Sequence, residues 1–183
     1  MRVGYLLILL LLVVPATAQN NFTGANKTIV TGFQKHVDDY IALRERLEKQ
    51  LPEMPKKATP EQIEVHKAAL LKSVQAQRVG AKHGDIFTPE ASTLVRQIIK
   101  EDFKGRERAE LRRDVFEAET KGVVVKVNAA YPESKELMEM SPSLLLALPQ
   151  LPKQIRYRFV GTNLLLVDRE NNLILDYMTN ALP

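Results

Sequence analysis

The sequence contains no cysteine. That excludes a disulfide framework, a thiolate metal site, a cysteine nucleophile and a lipid-modified cysteine anchor. Small exported domains often compensate for a thin core with disulfides, so this chain must hold together by packing. Histidine is scarce too: His36, His66 and His83 are the whole set. A zinc centre needs three or four converging ligands, and neither an H-x-x-x-H pair nor a Cys pair is present to start one. His36 and Asp39 share a helix face at i and i+3, which falls short of a ligand set. No metal and no cofactor is expected. The G-x-S-x-G elbow of α/β-hydrolases is missing, and no catalytic set stands out. An unmixed basic stripe is also missing. The 26 Lys and Arg face 22 Asp and Glu for a net charge of +4. They interleave, as in Arg106-Glu107-Arg108-Ala109-Glu110, which argues against nucleic acid as a partner. No repeat of solenoid length is visible.

The longest apolar run is Leu6 to Val14, nine residues. That is about half of the roughly 20 that span a bilayer. Arg2 precedes it, Pro15 ends it, and Ala16-Thr17-Ala18 follows with small-x-small spacing. These are the three parts of a cleavable signal peptide over residues 1–18. Export is therefore expected, with no transmembrane anchor after cleavage. A cysteine-free exported chain points to a bacterial periplasm, with secretion from the cell as the other destination. Asn21-Phe22-Thr23 and Asn26-Lys27-Thr28 match the glycosylation sequon, which carries no meaning in that setting.

Residues 19–28 are polar and read as a disordered lead. Residues 29–183 read as one α+β domain, mainly helical over 29–121 and mainly β over 122–183. Ile29, Val30, Phe33, Val37, Tyr40, Ile41, Leu47 and Leu51 form a helical stripe that Pro52 and Pro55 stop. Thr59-Pro60-Glu61-Gln62 is a capping box with Pro in the first turn. Behind it run Ile63, Leu70, Leu71, Val74 and Ala81. Thr88-Pro89-Glu90 starts a third helix with Ala91, Leu94, Val95, Ile98, Ile99 and Phe103 on its apolar side. A fourth, solvated helix is expected over 106–119. Val123 to Val127 is β-branched and predicts a strand. Ser141-Pro142-Ser143 opens a helical turn through Leu148. Three strand runs follow: 155–160, 164–167 and 173–178. In the first, Ile155, Tyr157 and Phe159 alternate with Arg156 and Arg158, the pattern of a half-buried strand. The expected architecture is a bundle of three to four helices packed on an antiparallel meander.

Four residues stand out as candidate ligand-binding groups. Arg44 interrupts the apolar stripe of the first helix, and Lys67 and Arg78 interrupt that of the second. Cations facing a core need carboxylates or an anionic ligand, so one reading is a small anion pocket. The other is that these chains snorkel, or pair with Asp85, Asp102 or Glu48. Asp85, in the loop His83-Gly84-Asp85-Ile86-Phe87, is the fourth. Its plain role is to bind turn amides while Ile86 and Phe87 enter the core. Asp168 and Asp176 could be drawn as a carboxylate pair. Asp168 also fits a turn start, and Asp176 fits a cross-strand partner of Arg156 or Arg158.

The run Leu148-Pro149-Gln150-Leu151-Pro152, Ile155 to Gly161, Leu164 to Asp168 and Leu173 to Asp176, with Gly84 to Phe87, resembles a family of uncharacterised exported bacterial proteins. The resemblance implies a periplasmic setting and transfers no catalytic residue. The hairpin Tyr157-Arg158-x-x-Gly161 to Asp168 is also loosely similar to the last hairpin of the RcnB-like periplasmic proteins of nickel and cobalt homeostasis. The histidine-rich stretch that metal handling would want is not in this chain. Three functions stay open in order: a non-enzymatic envelope domain with a protein partner, a small-ligand or anion-binding module, and a hydrolase with an unrecognised site.

Overall fold

The structure, a computed structural model, describes residues 22–104, 124–131 and 140–182. The signal segment 1–18 and the expected fourth helix over 106–119 lie outside the described residues. Helix α1 spans Gly24–Glu48, α2 Pro60–Gln77, α3 Pro89–Asp102 and α4 Pro142–Ala147. Strands β1 (Ile155–Val160), β2 (Asn163–Asp168) and β3 (Ile174–Met178) form one antiparallel sheet in the order β1-β2-β3. The arrangement is α+β, with the helices ahead of a carboxyl-terminal meander.

The helix starts obey local chemistry. Thr59 Oγ1 accepts from the Gln62 amide at 3.3 Å, and Gln62 Oε1 accepts from the Thr59 amide at 2.9 Å. Two amides that the first turn would otherwise leave unpaired are thereby satisfied. Thr88 and Ser141 cap α3 and α4 one way, their hydroxyls accepting from the Ala91 and Leu144 amides, each followed by Pro at the first helical position. Helix α1 departs from expectation at both ends. It begins at Gly24, inside the stretch expected to be a disordered lead, and stops at Glu48 rather than Leu51.

Phe33, Val37, Tyr40 and Leu47 of α1 enter one apolar cluster with Leu70 and Val74 of α2, Val95 and Ile99 of α3, and Leu144 of α4. Ile155, Tyr157, Phe159, Leu164 and Leu166 complete it from the inner face of the sheet. The outer face carries a smaller cluster of Tyr131, Val160, Leu165, Val167 and Ile174. Strand alternation separates the two sets, and a one-residue slip would exchange them.

Two irregularities matter for the site. The register shifts between Leu166 and Val167, with Leu166 opposite Asp176 and Val167 opposite Ile174. Leu175 is the extra residue of this bulge, and both it and Asp176 are fully buried. The second irregularity corrects the expected strand at 123–127. Among its described residues, 124–127 lie outside any strand. The pairing is made just downstream, where Ala130 bridges Leu173 and the Asn128 and Tyr131 amides donate to the Ile174 and Asn172 carbonyls at 2.8 Å.

Candidate functional site

The inner face of the sheet carries two fully buried carboxylates, Asp168 and Asp176. Each ends in a different chemical environment. Asp168, the last residue of β2, meets α1. Its Oδ2 accepts from the Tyr40 hydroxyl at 2.6 Å and from Arg44 Nε at 3.2 Å. Its Oδ1 accepts from the Glu170 amide at 2.9 Å, which closes the turn after β2. Arg44 then reaches outward: Nη1 donates to Glu48 at 2.7 Å and Nη2 donates to Glu170. Residues 40, 44 and 48 are successive positions on one helix face, so a single stripe of α1 supplies all three groups.

Arg44 is 5 % exposed. Burial opposes its charge, but Asp168, Glu170 and Glu48 outweigh that and hold it above its ordinary value. Tyr40 is pushed far above the usual phenol range by burial first, then by the charge and hydrogen bond of Asp168. Its hydroxyl therefore stays protonated and donates. The guanidinium of Arg78 lies 5.2 Å from the centre of the Tyr40 ring, within range of a cation–π contact. Arg78 Nη2 donates to the Leu175 carbonyl at 2.8 Å. That carbonyl sits at the bulge, where a ladder partner is lost, so Arg78 takes the vacant place. Burial lowers the affinity of Arg78 for its proton, while Tyr40, Asp176 and Asp85 work against that.

Asp176 is held by backbone alone. Oδ2 accepts from the Ile86 and Phe87 amides at 2.8 Å each, and Oδ1 accepts from Gly84 at 3.0 Å and from Tyr177 at 2.8 Å. Gly84 has φ of +89°, a conformation that favours glycine and turns the chain around the carboxylate. The expected pairing of Asp176 with Arg156 or Arg158 is thus corrected: those arginines lie on the outer face, and the bulge turns Asp176 inward. Asp85 accepts from the Lys82 amide at 2.7 Å, in the turn role its composition suggests. Ile86 and Phe87 are buried, and Phe87 packs 5.7 Å from the ring of Phe33.

Of the four sequence candidates, the structure gathers Arg44 and Arg78 around Tyr40. Lys67 pairs instead with Glu64 at 2.8 Å on its own helix, and Asp85 stays in its turn. The cleft between α1 and α3 and the cleft beside β1 are lined by other residues than Arg44, Lys67 and Arg78. Arg44 meets three carboxylates, so the anion pocket expected of it is already filled by the protein. Among the described residues no group of three or more His, Asp or Glu is placed to hold a metal. No described helix is long and apolar enough to cross a membrane.

Sequence reasoning passed over a different site. A cleft of about 230 Å3 opens beside β1, lined by Leu145, Pro149, Leu151, Ile155, Arg156, Arg158 and Arg169, among others. The sequence pattern gives Arg156 and Arg158 as the polar half of an alternating strand and as partners for Asp176, not as a cleft wall. The available signal was that both polar positions of β1 are arginine and that Arg169, past the turn, shares their parity.

Comparison with protein-family models, characterised proteins and solved structures finds no match to this chain.

Proposed function

We propose that this protein is an exported, non-enzymatic domain of the bacterial envelope whose task is to hold a protein partner. The observation that carries this reading is that the charged residues buried deepest among those described, Asp168, Asp176 and Arg44, are engaged by the protein itself. Asp168, Arg44, Tyr40 and Asp176 are each engaged in structural hydrogen bonds. A catalytic residue needs a free valence toward substrate, and these have spent theirs on the fold. Helix α4 supports the binding half of the reading, since Leu145 and Leu146 are 44 % and 58 % exposed on a helix whose Leu144 is buried. The signal-like amino end and the resemblance to exported bacterial proteins support the location.

Crosslinking the protein in its native envelope, then purifying and identifying the captured chains by mass spectrometry, tests this. One dominant partner is expected, and Leu145→Asp with Leu146→Asp should abolish its capture while the thermal transition persists. A monomer that captures nothing would refute the reading. A second reading, a small-ligand module, is favoured by one observation: the arginine-lined cleft beside β1.

A further inference from the structure

The cleft joins two kinds of surface. One wall is apolar, from Leu145, Leu151 and Ile155. The other wall is cationic. Arg156 lies on β1 opposite Val167, and Arg169 directly follows β2, its amide donating to the Gln154 carbonyl at 2.8 Å just ahead of β1. That register makes the two arginines diagonal neighbours on the outer face. Like charges at that spacing repel. Burial lowers the proton affinity of Arg156, and the charge of Arg169 lowers it further. Asp168 offsets this in part, but it lies on the inner face and is committed to Tyr40 and Arg44. Among the described residues no carboxylate lines the cleft. Arg169 is exposed and its side chain has no partner among them, and Arg156 Nε is buried with none. The remaining hold on Arg156 is Nη2 to Asn172 Oδ1 at 2.6 Å, a neutral acceptor. Arg158 lines the cleft too and is already engaged.

From the juxtaposition of an apolar wall with the Arg156–Arg169 pair, we infer that the cleft binds a small amphiphilic anion: one carboxylate on a short apolar body. An anion removes the repulsion between the arginines, and a guanidinium pair suits a carboxylate's two oxygens. The volume falls below the roughly 300 Å3 at which drug-sized sites begin, so the apolar body is short. This inference rests on the small-ligand reading above.

The test is an NMR titration of the purified protein with octanoate, 1-octanol and inorganic phosphate, repeated on Arg169→Ala and Arg156→Gln. Octanoate is expected to shift the signals of Leu145, Leu151 and Ile155 saturably. Each variant should weaken it about tenfold, the scale of one lost charge-assisted hydrogen bond. Arg169 is exposed, so its variant keeps the fold if Arg156→Gln does not. Octanol binding as tightly as octanoate, or variants that bind octanoate unchanged, would overturn the role of the arginines. Phosphate binding as tightly would overturn the amphiphile and leave a small-anion module. Silence with all three probes would sink both the inference and the small-ligand reading.

Discussion

Asp168 and Asp176 stand on one face of one sheet, equally buried, and are satisfied in opposite ways. Asp168 is met by side chains, a phenol and a guanidinium from α1. Asp176 is met by main-chain amides of the loop between α2 and α3. The first arrangement is an ion network, which ties α1 to the end of β2. The second works as a clasp that shapes a loop. A network depends on the identity of distant residues, whereas a clasp depends on one carboxylate and a backbone path. The two therefore differ in what breaks them and in what can mend them.

The largest effect is expected from Asp168→Ala. It leaves Arg44 Nε and the Tyr40 hydroxyl without their buried acceptor, while Glu48 and Glu170 still pair the guanidinium, and should cost about 3–4 kcal/mol in urea unfolding. The double change Asp168→Leu with Arg44→Met should recover most of that loss, because apolar residues of similar volume replace buried ion pairs at little cost. If the double variant is no better than the single, the network is not the ion pair described. Asp176→Ala should cost about 2–3 kcal/mol, since buried amides are left without an acceptor. No second substitution can mend it, because the donors are main chain. Hydrogen exchange should speed up at the Ile86 and Phe87 amides, and protection there equal to the wild type would remove the clasp.

Tyr40→Phe comes next, at about 1.5–2 kcal/mol for a hydrogen bond to a charged group. It also carries a pH signature. Unfolded tyrosine loses its proton near pH 10, while folded Tyr40 keeps it well beyond. Its contribution is whole below about pH 10 and declines above that as the unfolded state deprotonates. Between pH 10 and 11 the wild type should lose about 1 kcal/mol more stability than Tyr40→Phe, because the unfolded tyrosine is only half deprotonated at the start of that interval. Tyr157, whose hydroxyl is also pushed up by burial, is common to both and cancels. Equal slopes would show that Tyr40 titrates normally. The smallest effect belongs to Lys67→Ala, below about 1 kcal/mol, as befits a pair on a helix surface.

Much of the architecture was legible because its causes are local. The Thr-Pro starts of α2 and α3 and the alternation of β1 act within a few residues, and they appear as read. The expected strand at 123–127 failed because valine favours a strand only where a partner edge awaits it. Here the chain at the start of β3 is met by Ala129 and Ala130, weaker strand formers placed correctly, and by Tyr131. Arg44 was legible as an anomaly, since a cation in an apolar stripe demands a counter-charge. Of its partners, Glu48, one turn away, was legible, whereas Asp168, across the fold, was not. Asp176 was harder still: amides belong to every residue and leave no trace in composition. The bulge that turns it inward has no sequence mark either.

The Tyr40–Asp168 and Arg44–Asp168 bonds join residues 128 and 124 positions apart. A ribosome makes the chain amino end first, so α1 exists long before its counter-ion. Until the final hairpin arrives, α1 has a cation in its apolar stripe with only Glu48 to answer it. Contacts of such long range are late and slow to form. The last strands are thus the counter-charge that α1 waits for as well as a wall of the core.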